Sequence, residues 1–245
     1  FGNSLAIDGG TVVVGAHGGG GAHGAYSYSG EVFVFRTTDG GATYAQVAKL
    51  TAADDDAGDW FGSSVAIDGG TIVVGASRKE GGDDCNEDFY YTTYGSGDDC
   101  DHGAVYVFRT SDGGATYIEI AKLTAADAAY YDNFGWSVAI DGGTVVVGTH
   151  QYYDAGSSSG SAYVFLVTRT SSWPQLAKMV AGDAAALDYF GGSVAASGDL
   201  VAVGAHGDDG YTGSVYILQV DSSAAAYTQL VKLTADDATA GDNFG

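Results

Sequence analysis

A single sixteen-residue phrase constrains this chain more than any other feature. Residues 61–76 read FGSSVAIDGGTIVVGA. Close variants begin at Phe1 (FGNSLAIDGGTVVVGA), Phe134 (FGWSVAIDGGTVVVGT) and Phe190 (FGGSVAASGDLVAVGA). A fifth opens at Phe244-Gly245. The start positions divide the chain into units of 60, 73, 56 and 54 residues. Self-similarity at this spacing marks a repeat architecture, in which each unit is a small structure that buries its apolar side against its neighbours.

Within a unit the pattern is β throughout. The second unit has four short apolar runs, at residues 64–67, 71–75, 104–109 and 117–124. Asp68-Gly69-Gly70 separates the first two, and Asp and Gly tolerate the positive φ that tight hairpin turns need. The third run, AVYVFR, has counterparts at 32–36, 162–166 and 215–218, whose β-branched and aromatic residues suit a pleated surface. The fourth recurs at 44–51, 175–180 and 227–234. Turns of the type Asp112-Gly113-Gly114 join the third run to the fourth in the first two units. Four antiparallel strands joined this way make one blade, and four blades in series predict an all-β β-propeller. No stretch shows helical spacing of apolar residues, which excludes an α/β fold. The chain is read as one domain, 1–245, with blades at about 1–60, 61–133, 134–189 and 190–243.

These units resemble the FG-GAP repeats that build the propeller of integrin alpha subunits and of many secreted microbial and algal proteins. The resemblance covers the whole chain. It rests on the Phe-Gly pairs at Phe1, Phe61, Phe134 and Phe190, and on the Val-Gly-Ala or Val-Gly-Thr segments ending at Ala16, Ala76, Thr149 and Ala205. It implies an adhesive, non-catalytic domain at a cell exterior. Two departures stand out. Where the family motif ends in Pro, this chain has His17, Ser77, His150 and His206. Calcium-binding integrin blades carry an Asp-x-Asp-x-Asp-Gly loop between the first two strands. Here that place holds only Asp8-Gly9-Gly10, Asp68-Gly69-Gly70, Asp141-Gly142-Gly143 and Ser197-Gly198-Asp199, so calcium is not carried over to it. The family usually closes with seven blades. Four units either close on themselves, the reading taken here, or form part of a larger ring or array.

Composition narrows the function. A chain of 245 residues buries a sizeable core. Its 40 glycines recur at turn positions, and a single Pro leaves the strand ladders intact. No apolar run reaches the length of a membrane span. With no initiator Met and no signal segment, the chain reads as processed or as a section of something longer. The net charge of −22 excludes nucleic acid, whose phosphates require Lys and Arg. Seven of the nine basic residues stand at repeat-equivalent positions: Lys49, Lys122, Lys178 and Lys232, and Arg36, Arg109 and Arg169. These read as structural. The acidity suits a salty or calcium-rich exterior, or simply keeps a secreted protein in solution. Cys85 and Cys100 are the two cysteines, flank one insertion and are expected to form a disulfide. Closing that loop is worth about 3 kcal/mol on the chain-entropy estimate and points to an oxidising compartment. No Asn-x-Ser/Thr sequon is present, while Ser- and Thr-rich loops leave O-glycans open.

Three candidate sites follow. An acidic connector precedes each new Phe-Gly, with two Asp at the same spacing in every unit: 54–59, 127–132, 183–188 and 237–242. Such residues either cap backbone N–H groups in a tight turn or hold a hard cation such as Ca²⁺. The richest connector, with Asp54, Asp55, Asp56 and Asp59, is the candidate for the cation. The loops between second and third strands, 17–30, 77–103, 150–160 and 206–213, differ between units and emerge on one face. They carry Tyr26, Tyr28, Phe89, Tyr90, Tyr91, Tyr94, Tyr152, Tyr153 and Tyr211 amid Asp, Ser and Gly. Exposed tyrosines among adaptable polar neighbours suit a protein surface or a stacked sugar ring; alternatively they pack on one another to order the loops. Finally, His17, His150 and His206 occupy one equivalent position. They either converge on a metal or are satisfied by nearby backbone.

No nucleophile, acid/base pair or cofactor loop stands apart from the repeat, so the chain is not read as an enzyme, and a hydrolase site at the loop mouth finds no residues. The expected function is a non-catalytic extracellular module that binds a protein or glycan through the Tyr/Asp-rich loop face. The alternative is a tandem building block of an extracellular fibre or cell-surface coat, its partners being copies of itself.

Overall fold

The computed structural model describes residues 1–20, 27–80, 101–150, 158–167 and 173–245. The first unit forms β1 (Ser4–Asp8), β2 (Thr11–Ala16), β3 (Glu31–Arg36) and β4 (Ala45–Leu50). The second forms β5 (Phe61–Asp68), β6 (Thr71–Ala76), β7 (Ala104–Arg109) and β8 (Ile118–Leu123). The third contributes β9 (Ser137–Asp141), β10 (Thr144–Thr149), β11 (Ser161–Leu166) and β12 (Gln175–Met179). The fourth contributes β13 (Phe190–Ser197), β14 (Leu200–Ala205), β15 (Ser214–Asp221) and β16 (Ala226–Leu233). Each unit is one four-stranded antiparallel sheet in sequence order, and the four sheets are the blades of a β-propeller. The Asp-Gly turns close the inner hairpins, with Asp68 opposite Thr71 and Asp8 opposite Thr11. β5 and β13 start at Phe, earlier than the apolar run alone indicates, because a register shift between Phe61 and Ser64, and between Phe190 and Ser193, lets the Phe rejoin the ladder.

The apolar residues meet between sheets. One core joins sheets one and two, built on Val32, Val34, Leu50, Phe61, Ile72 and Tyr106. A second joins sheets two and three around Phe134, and a third joins sheets three and four around Phe190. A ring of four closed on itself needs a fourth such seam. Among the described residues, the fourth sheet and the first share no core.

The repeated phrase is the seam itself. A Cβ on Gly15, Gly75, Gly148 or Gly204 would stand 2.0–2.1 Å from the carbonyl oxygen of Gly62, Gly135, Gly191 or Gly245, respectively. The glycine of each Val-Gly-Ala or Val-Gly-Thr thus lies against the glycine of the next Phe-Gly, where no side chain fits. The same carbonyls accept hydrogen bonds from Ser4, Ser64, Ser137 and Ser193 Oγ at 2.8, 2.7, 2.8 and 2.6 Å. At the opposite end of the sheets, the turn Asp of one unit reaches the next turn. Asp8, Asp68 and Asp141 accept from the backbone N–H of Gly69, Gly142 and Gly198 at 2.7, 2.9 and 2.6 Å.

Candidate functional site: the loop face

The ends of the second strands, the starts of the third and the Phe-Gly that opens each next unit all lie on one face. Parallel bridges Gly30↔Phe61, Gly103↔Phe134, Gly160↔Phe190 and Gly213↔Phe244 hold them together. The backbone N–H groups of Phe61, Phe134, Phe190 and Phe244 donate to the carbonyls of Ser29, His102, Ser159 and Thr212 at 2.8–3.1 Å. The last residues of each variable loop, which lead into the third strand, therefore lie beside the acidic connector that leads into the next unit.

The connectors have a common anchor. Asp54 accepts from the Tyr106 hydroxyl at 2.6 Å and from Lys122 Nζ at 2.6 Å. Asp127 does so from Tyr163 and Lys178 at 3.0 and 2.6 Å, and Asp183 from Tyr216 and Lys232, both at 2.8 Å. Burial raises the Asp54 and Asp127 carboxyls, but the hydrogen bonds from Lys and Tyr outweigh it and both titrate below the ordinary value. In Asp183 the Lys232 hydrogen bond leads the same lowering. Burial, followed by the neighbouring Asp, pushes the Tyr106 and Tyr163 hydroxyls far up, so they remain donors. The second Asp of the connector turns back on its own loop. Asp59, Asp132, Asp188 and Asp242 accept from the N–H groups of Asp56, Ala129, Ala185 and Thr239 at 2.6–2.8 Å.

In the candidate cation connector, the carboxylates of Asp54 and Asp59 thus serve different partners. Asp59 meets Lys79 Nζ at 2.8 Å, and both side chains are buried. Asp56 accepts from the N–H of Ala57, and the side chain of Asp55 is also engaged. Among the described residues no group of three His, Cys, Asp or Glu is placed to hold a metal ion. At the position of Lys79 the fourth unit has Asp208, which joins Asp183 and Asp209 around Lys232 Nζ at 2.6, 2.8 and 3.5 Å. A cleft of about 360 Å³ opens there, lined by Asp183, Leu187, Asp188, Asp208, Asp209 and Tyr211.

Aromatic rings crowd the same face. The residue before each Phe-Gly adopts positive φ: Trp60 +57°, Asn133 +51°, Tyr189 +55° and Asn243 +54°. For Asn this is ordinary; for Trp and Tyr it is strained backbone, which persists where the surroundings hold it and clusters at functional sites. Trp60 contacts His17, with ring centroids 4.9 Å apart, and the Arg78 guanidinium, 4.0 Å from the Trp60 ring. Tyr189 stacks with His150 at 4.7 Å and with His206 at 4.9 Å, all three rings within 10° of parallel. The two imidazole centroids are only 6.0 Å apart. Rings on opposite faces of a third would lie roughly 7 Å apart or more, so both histidines rest side by side on one face of Tyr189. Trp136 stacks on His150 at 4.5 Å, and His102 meets Tyr130 at 5.1 Å. Burial lowers the pKa of His17, His150 and His206, with His206 lowering His150 further.

Of the residues singled out in the sequence, Tyr28 and Tyr211 lie on this face, 47% and 40% exposed. Tyr26, Phe89, Tyr90, Tyr91, Tyr94, Tyr152 and Tyr153 lie outside the described residues, as do Cys85 and Cys100. The three equivalent histidines divide: His150 and His206 meet over Tyr189, whereas His17 sits at Trp60. Sequence reasoning missed Trp60, Tyr130, Trp136 and Tyr189. The signal for three of them is an aromatic residue immediately before or after a Phe-Gly pair.

The family model described as FG-GAP repeat matches residues 44–108, 117–165 and 173–218. Comparison with curated proteins finds no match. Among solved structures, the crystal structure of the Saccharomyces cerevisiae Sqt1 is similar at 10% identity and a TM-score of 0.48, over 94% of this chain and 46% of that one. The chain spans about half the length of that structure.

Proposed function

This chain belongs to the FG-GAP repeat family, whose repeats commonly mediate extracellular interactions, and from that premise we propose that it is a non-catalytic extracellular module whose loop face binds a protein or glycan ligand. The observation that carries this is the arc of aromatic side chains across that face. Tyr28, Tyr130, Trp136 and Tyr211 are each 40–47% exposed, beside the strained Trp60 and Tyr189. Aromatic rings with one face against protein and one in water offer large contact area at little entropic cost. Because burial favours neutral histidines here, the stack recognises by shape and π-face rather than by positive charge. With a net charge of −22, ligands that are neutral or basic are favoured over sulfated or sialylated ones. A Cys85–Cys100 disulfide belongs to the same reading, and thiol titration of the unfolded chain before and after reduction counts it.

The test is capture by an array of neutral oligosaccharides and by cell surfaces, with and without enzymatic removal of glycans. The wild-type chain and Trp136→Ala/Tyr211→Ala are compared, both melting at the same temperature. The reading expects the double variant to lose at least about tenfold in affinity, as truncated aromatic anchors do. Equal capture by both proteins sinks it.

A further inference from the structure

The second and fourth units differ at one place on the loop face, which the second fills and the fourth leaves open. In the second unit the variable loop sends Lys79 back onto its own connector. Lys79 Nζ donates to the Asp54 main-chain carbonyl at 2.6 Å and to Asp59 Oδ2 at 2.8 Å. With Lys122 it balances the two carboxylates, Asp59 and Asp54, that these lysines meet. Counting on from Ala76 and from Ala205, the fourth unit has Asp208 in place of Lys79. An ionised Asp208 has no proton to donate. It accepts instead, from Lys232 Nζ at 2.6 Å and from the Tyr216 hydroxyl at 3.3 Å.

The acceptors that Lys79 uses have counterparts in the Asp183 carbonyl and the Asp188 carboxylate. Asp188 is 4% exposed, close to the 2% of Asp59. Its Oδ2 accepts from the Ala185 N–H at 2.6 Å; among the described residues Oδ1 has no hydrogen-bond partner and the carboxylate no ion pair. A buried anion in that condition is costly until a cation meets it. Asp188 lines the cleft of about 360 Å³, a volume in the range of small-ligand sites. The walls are the connector 183–188 and the loop 207–211. Four carboxylates, of Asp183, Asp188, Asp208 and Asp209, stand there against the single ammonium of Lys232.

The cleft also has apolar sides. Leu187 and Tyr211 line it, 45% and 40% exposed, and both hold left-handed backbone, with φ of +72° and +67°. At the position of Leu187 the second unit has Gly58, φ +91°, for which that conformation carries no strain. Bulky residues kept in strained backbone beside a cleft are the kind of outlier that marks a working site. A metal ion suits the cleft poorly. Lys232 Nζ already stands among three of the carboxylates, and among the described residues no group of three His, Cys, Asp or Glu is placed to hold one.

We propose that the cleft receives a primary ammonium on an aliphatic stem, the lysine side chain of a protein ligand. The ammonium takes the place that Lys79 fills in the second unit, donating to Asp188 and to the Asp183 carbonyl, while its stem lies along Leu187 and Tyr211. The inference rests on the loop-face reading and deepens it, by naming one group that the ligand carries.

Calorimetric titration of the full chain with acetyl-Gly-Lys-Gly-amide, with its Nε-acetyllysine counterpart and with calcium chloride tests it. The lysine peptide is expected to bind saturably, and the acetylated peptide about tenfold or more weakly, because acetylation removes the charge. Asp188→Asn keeps an acceptor for the Ala185 N–H and loses lysine-peptide binding by a similar factor. Asp208→Lys rebuilds the arrangement of the second unit, so it blocks the peptide and raises the melting temperature. The proposal is overturned if the wild-type chain ignores the lysine peptide, if acetylation makes no difference, or if both variants bind as the wild type does. Calcium binding that Asp188→Asn abolishes, with no binding of the peptide, overturns it too. Trp136→Ala, which does not line the cleft, keeps lysine-peptide binding, and Asp188→Asn keeps capture of neutral oligosaccharides. Failure of this inference is thereby told apart from failure of the loop-face reading.

Discussion

A glycine that adopts an ordinary backbone conformation is easily taken for filler, and Gly75 shows why that is wrong here. Its φ is not in the left-handed region; what forbids a side chain is the Gly135 carbonyl oxygen, 2.1 Å from where a Cβ would sit. Gly69, by contrast, has φ of +55° and open space around it. Gly75→Ala is expected to cost about 3 kcal/mol through a clash that neither backbone can relieve, and Gly69→Ala about 1–2 kcal/mol through backbone strain alone. Chemical denaturation of the two variants gives the order. The turn glycines were legible from the sequence because Asp-Gly-Gly is a local signal. The purpose of Gly75 was not, since its partner lies 60 residues away in an adjoining sheet. His150 and His206 also act at this scale. Burial holds their pKa values below the ordinary 6.5. The folded chain therefore resists protonation that the unfolded chain accepts. The stability they support is complete above about pH 6.5 and is lost as pH falls below it. Melting temperature measured from pH 7.5 to 5 should fall, and should fall less in His150→Phe/His206→Phe.

Among the elements, the connectors carry more than their sequence suggests. A pair of Asp at fixed spacing left capping and cation binding both open. The structure assigns the first Asp to a Tyr on the third strand and a Lys on the fourth, and the second to its own turn. The lysines were legible as structural because they recur with the repeat, but the tyrosines hid within an apolar run. Tyr163 is fully buried, so its hydroxyl depends on Asp127. Asp127→Ala is expected to cost about 2 kcal/mol, chiefly by leaving that hydroxyl without an acceptor, and Asp127→Asn less because an acceptor remains. Thermal melts of both variants beside Tyr163→Phe, where the hydroxyl is absent, separate the hydrogen bond from the charge.

For the whole molecule, strand order and blade count followed from the repeat, because each sheet is built from contiguous sequence and needs no long-range pairing to be recognised. What the repeat could not show is how many seams its four units make. That depends on the angle between neighbouring sheets, a property of packed side chains rather than of any one segment. Nor could it show that Trp60 and Tyr189 stand in strained backbone beside the loops, because the strain comes from two units meeting. The acidic surface belongs to this scale as well. Twenty-two excess negative charges repel one another across the sheets, and four of the lysines that offset them are held by the connector aspartates Asp54, Asp59, Asp127 and Asp183.

The parallel bridge between each third strand and the following Phe has a bearing on how the polypeptide acquires its shape. The opening residues of the successor supply each sheet's last bridge, and in Phe61, Phe134 and Phe190 a fully buried ring as well. During synthesis each sheet is therefore expected to lack this bridge until the next Phe-Gly emerges, so that the structure completes in the direction of synthesis, one unit behind the emerging end.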